Sequence, residues 1–314
     1  MSLRLAILCP GQGAQHAGMF DLLRDDPQAS AFLAQSALSA HLQAPLETVL
    51  ADPVQLYANR NAQPLIVAAQ LAAWQALHAP LAAIAGAPAV VAGYSVGELS
   101  AYALAGLLDP AETVALAAQR AAAMTQAASA QPAQALMAIG GLPLAVIHEC
   151  LARHGGHVAI VTGEDTLIAG GANACLQAAA DALVTAGART ALLPVGLASH
   201  TPLMQSATAP FAAELAAHPL RSPGPALLAG VTGQAITDAA QARALLVRQL
   251  VEPIQWAACM DALVERGVTV ALELGPGAAL SRMLRERHPQ IACRSLADFR
   301  SLSGALAWLR RQAD

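Results

Sequence analysis

Lysine is absent from the 314 residues, so all 17 basic residues are arginine. Charged residues make up only 12% of the chain and aromatics 3%, while 56% are hydrophobic, 78 of them alanine. Disorder requires high charge with low hydrophobicity, and this composition is the reverse. A formal net charge of −4 excludes the basic footprint that a nucleic-acid binder carries. Without lysine, the phosphate-cradling GxxxxGK[ST] loop cannot be built. The five cysteines (Cys9, Cys150, Cys175, Cys259, Cys293) include no CxxC pair. An odd, widely spaced set argues against a disulfide framework or a metal site and for a reducing, cytoplasmic setting. Long apolar runs are missing as well. The first one, residues 5–9, is too short for the core of a signal peptide. Residues 61–97 carry no charge at all, but Pro64, Pro80, Gly86, Pro88 and Gly93 interrupt them. A membrane-spanning helix needs about 20 mostly uninterrupted apolar residues. The expectation here is a buried helix followed by a buried strand, with no membrane partner.

The length accommodates one deep core and a smaller lobe. Residues 3–9 read as a buried strand ended by Pro10-Gly11-Gln12-Gly13, and 64–77 as an alanine-rich helix with Pro64 in its first turn. Residues 89–93 read as a second buried strand, 98–107 as a helix, and 110–124 as another helix capped by Asp109. At 127–135 a small-residue linker intervenes. Strand 135–139, helix 143–153, strands 157–162 and 166–170, helix 172–186 and strand 190–195 then form a β-α-β-β-α-β unit. The larger pattern resumes with helix 201–218, strand 226–231, helix 238–250, strand 268–274 and helices to the end. The reading is an α/β protein: residues 1–128 and 199–314 form a large subdomain with a parallel sheet, and 129–198 an inserted small one. Residues 281–314 carry a net +4 against −8 for the rest, a solvated helical face or a docking patch for an acidic protein around Arg282 and Arg285.

Gly93-Tyr94-Ser95-Val96-Gly97 fits G-x-S-x-G between a strand and a helix. A sharp strand-to-helix turn exposes the serine hydroxyl, and the glycines permit the turn. The helix N-terminus offers free N–H groups to a developing oxyanion. A nucleophilic serine needs a base. Of nine histidines, His200 lies where the small lobe returns to the large one, over the expected cleft. Arg120 is a lone charge in an apolar helical stretch with no acid at i±3 or i±4. Buried, it would need a carboxylate, which a substrate could supply. Gly11-Gln12-Gly13 fails as a dinucleotide fingerprint because position 16 is His.

Taken together, these residues resemble the malonyl-CoA:acyl carrier protein transacylase family. The likeness runs through Gly11-Gln12-Gly13-Ala14-Gln15, Gln63-Pro64, Gly93 to Glu98, Gln119-Arg120 with Met124, and Ser199-His200 with Pro202-Leu203-Met204. It continues through Gln249 with Pro253 and Trp256, and Glu273-Leu274-Gly275-Pro276-Gly277. The resemblance implies an α/β-hydrolase-like large domain with an inserted ferredoxin-like lobe. It implies that Ser95 is acylated by malonyl and that His200 acts as base, then acid. A backbone carbonyl positioned with help from Gln249 would orient His200. The backbone N–H groups of Gln12 and Val96 would form the oxyanion hole, and Arg120 would hold the malonyl carboxylate, with Gln63 and Ser199 beside the substrate. No bound cofactor is implied: malonyl-CoA is the donor, and the CoA-derived prosthetic-group thiol of an acyl carrier protein the acceptor.

Two departures from the family pattern bear on specificity. Position 94 is Tyr where G-H-S-x-G-E is usual, which resembles the epsilon subunit of malonate decarboxylase and implies that enzyme's carrier subunit as acceptor. Position 199 is Ser where many malonyl-selective members carry Phe, which leaves room for methylmalonyl, while Val96 favours malonyl. The alternatives are a transacylase of fatty-acid or polyketide synthesis, a serine esterase using Asp181, and a non-catalytic carrier-binding subunit.

Overall fold

The computed structural model describes residues 3–313. Its strands are β1 (Leu5–Cys9), β2 (Val90–Gly93), β3 (Gln134–Gly140), β4 (His157–Val161), β5 (Thr166–Ala172), β6 (Arg189–Leu192), β7 (Ala226–Leu228), β8 (Ile254–Gln255), β9 (Val270–Glu273) and β10 (Ala292–Ser295). They form two sheets. The first runs β10-β9-β1-β2-β7 with every pair parallel. Its central strands are buried on both faces, as expected of a parallel sheet covered by helices, and so read as continuous apolar runs.

The register decides where chemistry can occur. Cys9 pairs with Gly93, so β1 and β2 end level and the Pro10–Gly13 loop leaves the sheet beside Tyr94-Ser95. Ligand sites in parallel sheets lie beyond the carboxyl ends of the strands. Gln70, buried on the Asn59–Ala85 helix, fastens this loop by donating to the Pro10 carbonyl at 2.6 Å. Behind it, buried Glu273 at the end of β9 accepts from the backbone N–H groups of Leu280 (3.2 Å) and Ser281 (2.7 Å), capping the Ala279–Arg287 helix. The Glu273–Gly277 motif is thus a structural clamp on the rear of the cleft.

The second sheet has the order β6-β3-β5-β4-β8. Its first four strands are antiparallel, and the helices Leu144–His154 and Asn173–Thr185 pack on them around a separate apolar core that includes Ile147, Leu151, Leu167, Leu176 and Leu183. This is the expected split β-α-β-β-α-β topology. β8 was not expected: it comes from outside residues 129–198 and pairs parallel with β4, bonding the two parts together.

Several boundaries differ from the sequence reading. The helix predicted at 64–77 runs from Asn59 to Ala85, with Pro64 as its sixth residue. Its early turn is held by the Asn59 side chain, which donates to the Ala121 carbonyl and to Thr125 Oγ1, both at 3.0 Å. This helix is long and apolar enough to cross a membrane, yet 61% of its apolar window is buried inside the protein, which makes it a core helix. The predicted linker at 127–135 is shorter, because the Pro110–Ser129 helix continues further and β3 begins at Gln134. The predicted helix 201–218 opens with one 3-10 turn, Pro202–Met204, before Gln205–Ala216. β6 and β7 stop short of their predicted ends, and the C-terminal region contains β10 as well as helices.

Candidate active site

Ser95 occupies a left-handed backbone conformation, φ +56°. Non-glycine residues rarely adopt it, and such strain concentrates at functional sites. The flanking glycines serve close approach instead. A Cβ on Gly93 would lie 2.3 Å from the Glu98 backbone, and one on Gly97 2.1 Å from the Cys9 carbonyl oxygen. The turn therefore packs directly onto the end of β1 and feeds into the Gly97–Leu104 helix.

His200 also has a positive φ, +62°, and is completely buried. Its backbone N–H donates to the Leu250 carbonyl at 2.9 Å, which fixes the loop. Nε2 lies 2.8 Å from Ser95 Oγ, and Nδ1 lies 2.5 Å from the Gln249 carbonyl oxygen. A carbonyl can only accept, so Nδ1 carries the hydrogen and Nε2 is left to accept the serine proton. Burial, and next the Arg120 charge, push the His200 pKa down to about 3, while the Gln249 contact acts the other way. The imidazole is thus neutral at physiological pH, with Nε2 free to accept a proton.

The orienting carbonyl is Gln249's own, and the Gln249 side chain does more. Its Oε1 accepts from Arg120 Nη2 at 2.8 Å, and its Nε2 donates to the Ser95 carbonyl at 3.0 Å and to Glu98. Arg120 is 1% exposed, and its other terminal nitrogen donates to Gln63 Oε1 at 2.7 Å. Gln63 is held in turn by Asn59 Oδ1, which accepts from its Nε2 at 2.8 Å. Among the described residues, both direct partners of Arg120 are neutral amides, and its Nε has none. Burial lowers the Arg120 pKa to about 10, opposed by the Glu98 charge, so the guanidinium stays cationic. A cation in this position is matched by an anion entering the cavity.

That cavity is narrow and lined by Gln12, Gln63, Ser95, Arg120, Ser199 and His200, together with Leu136, Ile160 and Ile168 from the second sheet. A wider cleft, about 550 Å³, reaches the surface between the sheets past Gly11, Ile139, Arg189 and Arg282, and shares Gln12 and Tyr94 with the inner cavity. Among the described residues, no protein group accepts from the Gln12 or Val96 backbone N–H. The Val96 side chain itself is buried. Tyr94 packs edge-on against Trp256 with centroids 5.4 Å apart, which places Trp256 behind Tyr94.

The structure thus gathers the residues singled out in the sequence: Gln12, Gln63, Ser95, Arg120, Ser199 and His200 around one cavity, with Gln249 beneath. Asp181 is not among them. It is exposed on the Asn173–Thr185 helix and accepts from Gln177 Nε2 at 2.9 Å, so it forms no Ser-His-Asp triad with Ser95 and His200. Arg282 borders the cleft, whereas Arg285 is engaged with the Cys293 carbonyl at 2.9 Å. Sequence reasoning gave no role to Glu98 or Asn59. The signal for Glu98 was available: it is the first charge after the uncharged stretch 61–97, on an apolar helix that buries it.

The chain matches the acyl transferase domain family over residues 7–299. It is 34% identical over 302 residues to a Mycobacterium bovis protein named malonyl CoA-acyl carrier protein transacylase, covering 95% of this chain and 99% of that one. It is 30% identical to a Haemophilus influenzae protein of the same name, covering 98% and 99%. The solved structure of a malonyl-CoA:acyl carrier protein transacylase from Xanthomonas oryzae superposes with a TM-score of 0.89 at 29% identity, with full coverage of both chains. This likeness along the whole chain, joined to the Ser95, His200 and Arg120 geometry, means that the chain belongs to the malonyl-CoA:acyl carrier protein transacylase family of acyltransferases.

Proposed function

We propose that the protein transfers malonyl from malonyl-CoA to the prosthetic-group thiol of an acyl carrier protein through a Ser95 acyl-enzyme. The observation that carries this reading is a buried Arg120 with no carboxylate partner among the described residues, lining the same cavity as a Ser95–His200 pair 2.8 Å apart. Ser95 Oγ attacks the thioester carbonyl while its proton passes to His200 Nε2. The oxyanion is held by the Gln12 and Val96 N–H groups, each such donor contributing roughly 3–4 kcal/mol. The C–S bond breaks and CoA leaves with the proton from His200. The carrier thiol then repeats the sequence in reverse, giving its proton to His200 and taking malonyl from Ser95. Arg120 pairs with the malonyl carboxylate in both halves. We assign the small subdomain to residues 129–198, the wall of the cleft opposite the Ser95 elbow.

For the acceptor, the relatives favour the general transacylase reading over the malonate decarboxylase one, because they are named for acyl carrier protein. Tyr94 is what favours the decarboxylase carrier subunit. Presenting malonyl-loaded enzyme with each carrier in turn decides between them. Faster discharge to a fatty-acid-type acyl carrier protein supports the reading adopted here. Faster discharge to a decarboxylase carrier subunit refutes it.

A further inference from the structure

We propose that Glu98 is a positioning residue that sets the Gln249 side-chain amide, and through it both the Arg120 clamp and the Ser95 backbone. A buried glutamine amide can sit in either of two orientations, related by exchange of its oxygen and nitrogen. Only one orientation serves this site. Gln249 Oε1 must face Arg120, which can only donate, and Nε2 must face acceptors. Those acceptors are the Ser95 carbonyl at 3.0 Å and Glu98 Oε2. Glu98 supplies a second acceptor that is itself fixed, since its Oε1 accepts from the Gly230 N–H at 3.2 Å and its side chain is fully buried. The wrong orientation would aim the Gln249 oxygen at a carboxylate and its NH₂ at a guanidinium.

The pocket around the carboxylate is built for it. A Cβ on Gly230 would lie 2.7 Å from Glu98 Oε2, so position 230, two residues past β7, must be glycine for the carboxylate to reach Gln249. Glu98 also sits in the first turn of the Gly97–Leu104 helix, three residues after Ser95; burial pushes its pKa up to about 7, against the Gln249, Gly230 N–H and Arg120 contacts, so it is the carboxylate above pH 7, where the ratio below is measured. It therefore ties the serine's own turn to the residue that orients His200 and Arg120. Glu98 reaches the substrate only through Gln249.

This inference rests on the transacylase reading, and its test separates the two. The probes are malonyl-CoA and acetyl-CoA, and the readout is the ratio of their acylation kcat/KM values in wild type, Glu98→Gln and Gly230→Ala. In Glu98→Gln the volume is kept, but one NH₂ must face either Gly230 N–H or Gln249 Nε2. The Arg120 clamp then loses its fixed partner, and because only malonyl uses it, the malonyl-to-acetyl ratio falls by about tenfold or more. Gly230→Ala keeps Glu98 and displaces it, lowers the ratio in the same direction, and carries the test should Glu98→Gln fail to fold. Equal loss with both donors, or an unchanged ratio in the variants that fold, overturns the inference and leaves Glu98 a structural residue. Absence of wild-type acylation by malonyl-CoA would overturn the transacylase reading instead.

Discussion

Replacing Arg120 tests the link between burial and substrate choice. The guanidinium is held by two neutral oxygens, Gln63 Oε1 at 2.7 Å and Gln249 Oε1 at 2.8 Å, in a setting that is 1% exposed. A malonyl carboxylate adds a full opposite charge and two charge-assisted hydrogen bonds, each worth about 1.5–3 kcal/mol. Some of that gain offsets rearrangement of the two glutamines, which leaves about 3–4 kcal/mol, or roughly 10²–10³-fold in kcat/KM. Arg120→Leu should therefore lower kcat/KM for malonyl-CoA by that factor. Acetyl-CoA, whose methyl group would otherwise face an unpaired charge, should react as fast or faster. Quenched-flow acylation followed by intact-protein mass spectrometry measures both. A malonyl loss below about tenfold, or an equal fall for acetyl-CoA, would refute the reasoning.

The depressed His200 pKa predicts an acid-tolerant base. A base whose pKa lies near 3 stays deprotonated well below the ordinary value of 6.5, so acylation by acetyl-CoA, which does not use the Arg120 clamp that Glu98 sets, should hold level from pH 8 to 5; a midpoint near 6.5 would count against it. Stability carries the same shift in linkage form. The unfolded imidazole takes a proton below 6.5 that the folded one refuses, so the His200 contribution is present above 6.5 and lost as pH falls towards 3. Urea titrations of wild type and His200→Gln at pH 7.5 and 5 should narrow the wild-type advantage at the lower pH. Gly93→Ala and Gly97→Ala press a Cβ into backbone at 2.3 and 2.1 Å and should cost several kcal/mol or prevent folding, read as loss of the cooperative thermal transition. Ser199→Phe, in a wall of the inner cavity, should reduce acylation by methylmalonyl-CoA more than by malonyl-CoA; equal effects would show that Ser199 does not set cavity width.

The sequence carried the central sheet because its strands are covered on both faces: residues 5–9 and 90–93 are uninterrupted apolar runs. It failed where pairing, and not pattern, makes the strand. β8 has two residues, and β10, Ala-Cys-Arg-Ser, carries a half-buried Arg294 in a stretch that otherwise reads as helical. Proline misled in the Asn59–Ala85 helix, whose early turn is set by Asn59 side-chain bonds to a helix more than sixty residues away. Ser95, His200 and Arg120 were legible because each is a chemically unusual residue in its setting: a serine in a glycine elbow, a histidine at a lobe junction, a lone charge in an apolar helix. Gln249 was legible only through family likeness, since an amide with three partners on two distant segments has no local signature. Glu98 stood in the same motif as Ser95, but its partner is 151 positions away in sequence.

The most direct measurement is the intact mass of the protein after incubation with malonyl-CoA and no carrier, with Ser95→Ala alongside. The geometry predicts one malonyl group on the wild type and none on the variant. A malonyl adduct that persists on Ser95→Ala, or no adduct on the wild type and no release of free malonate, would contradict it.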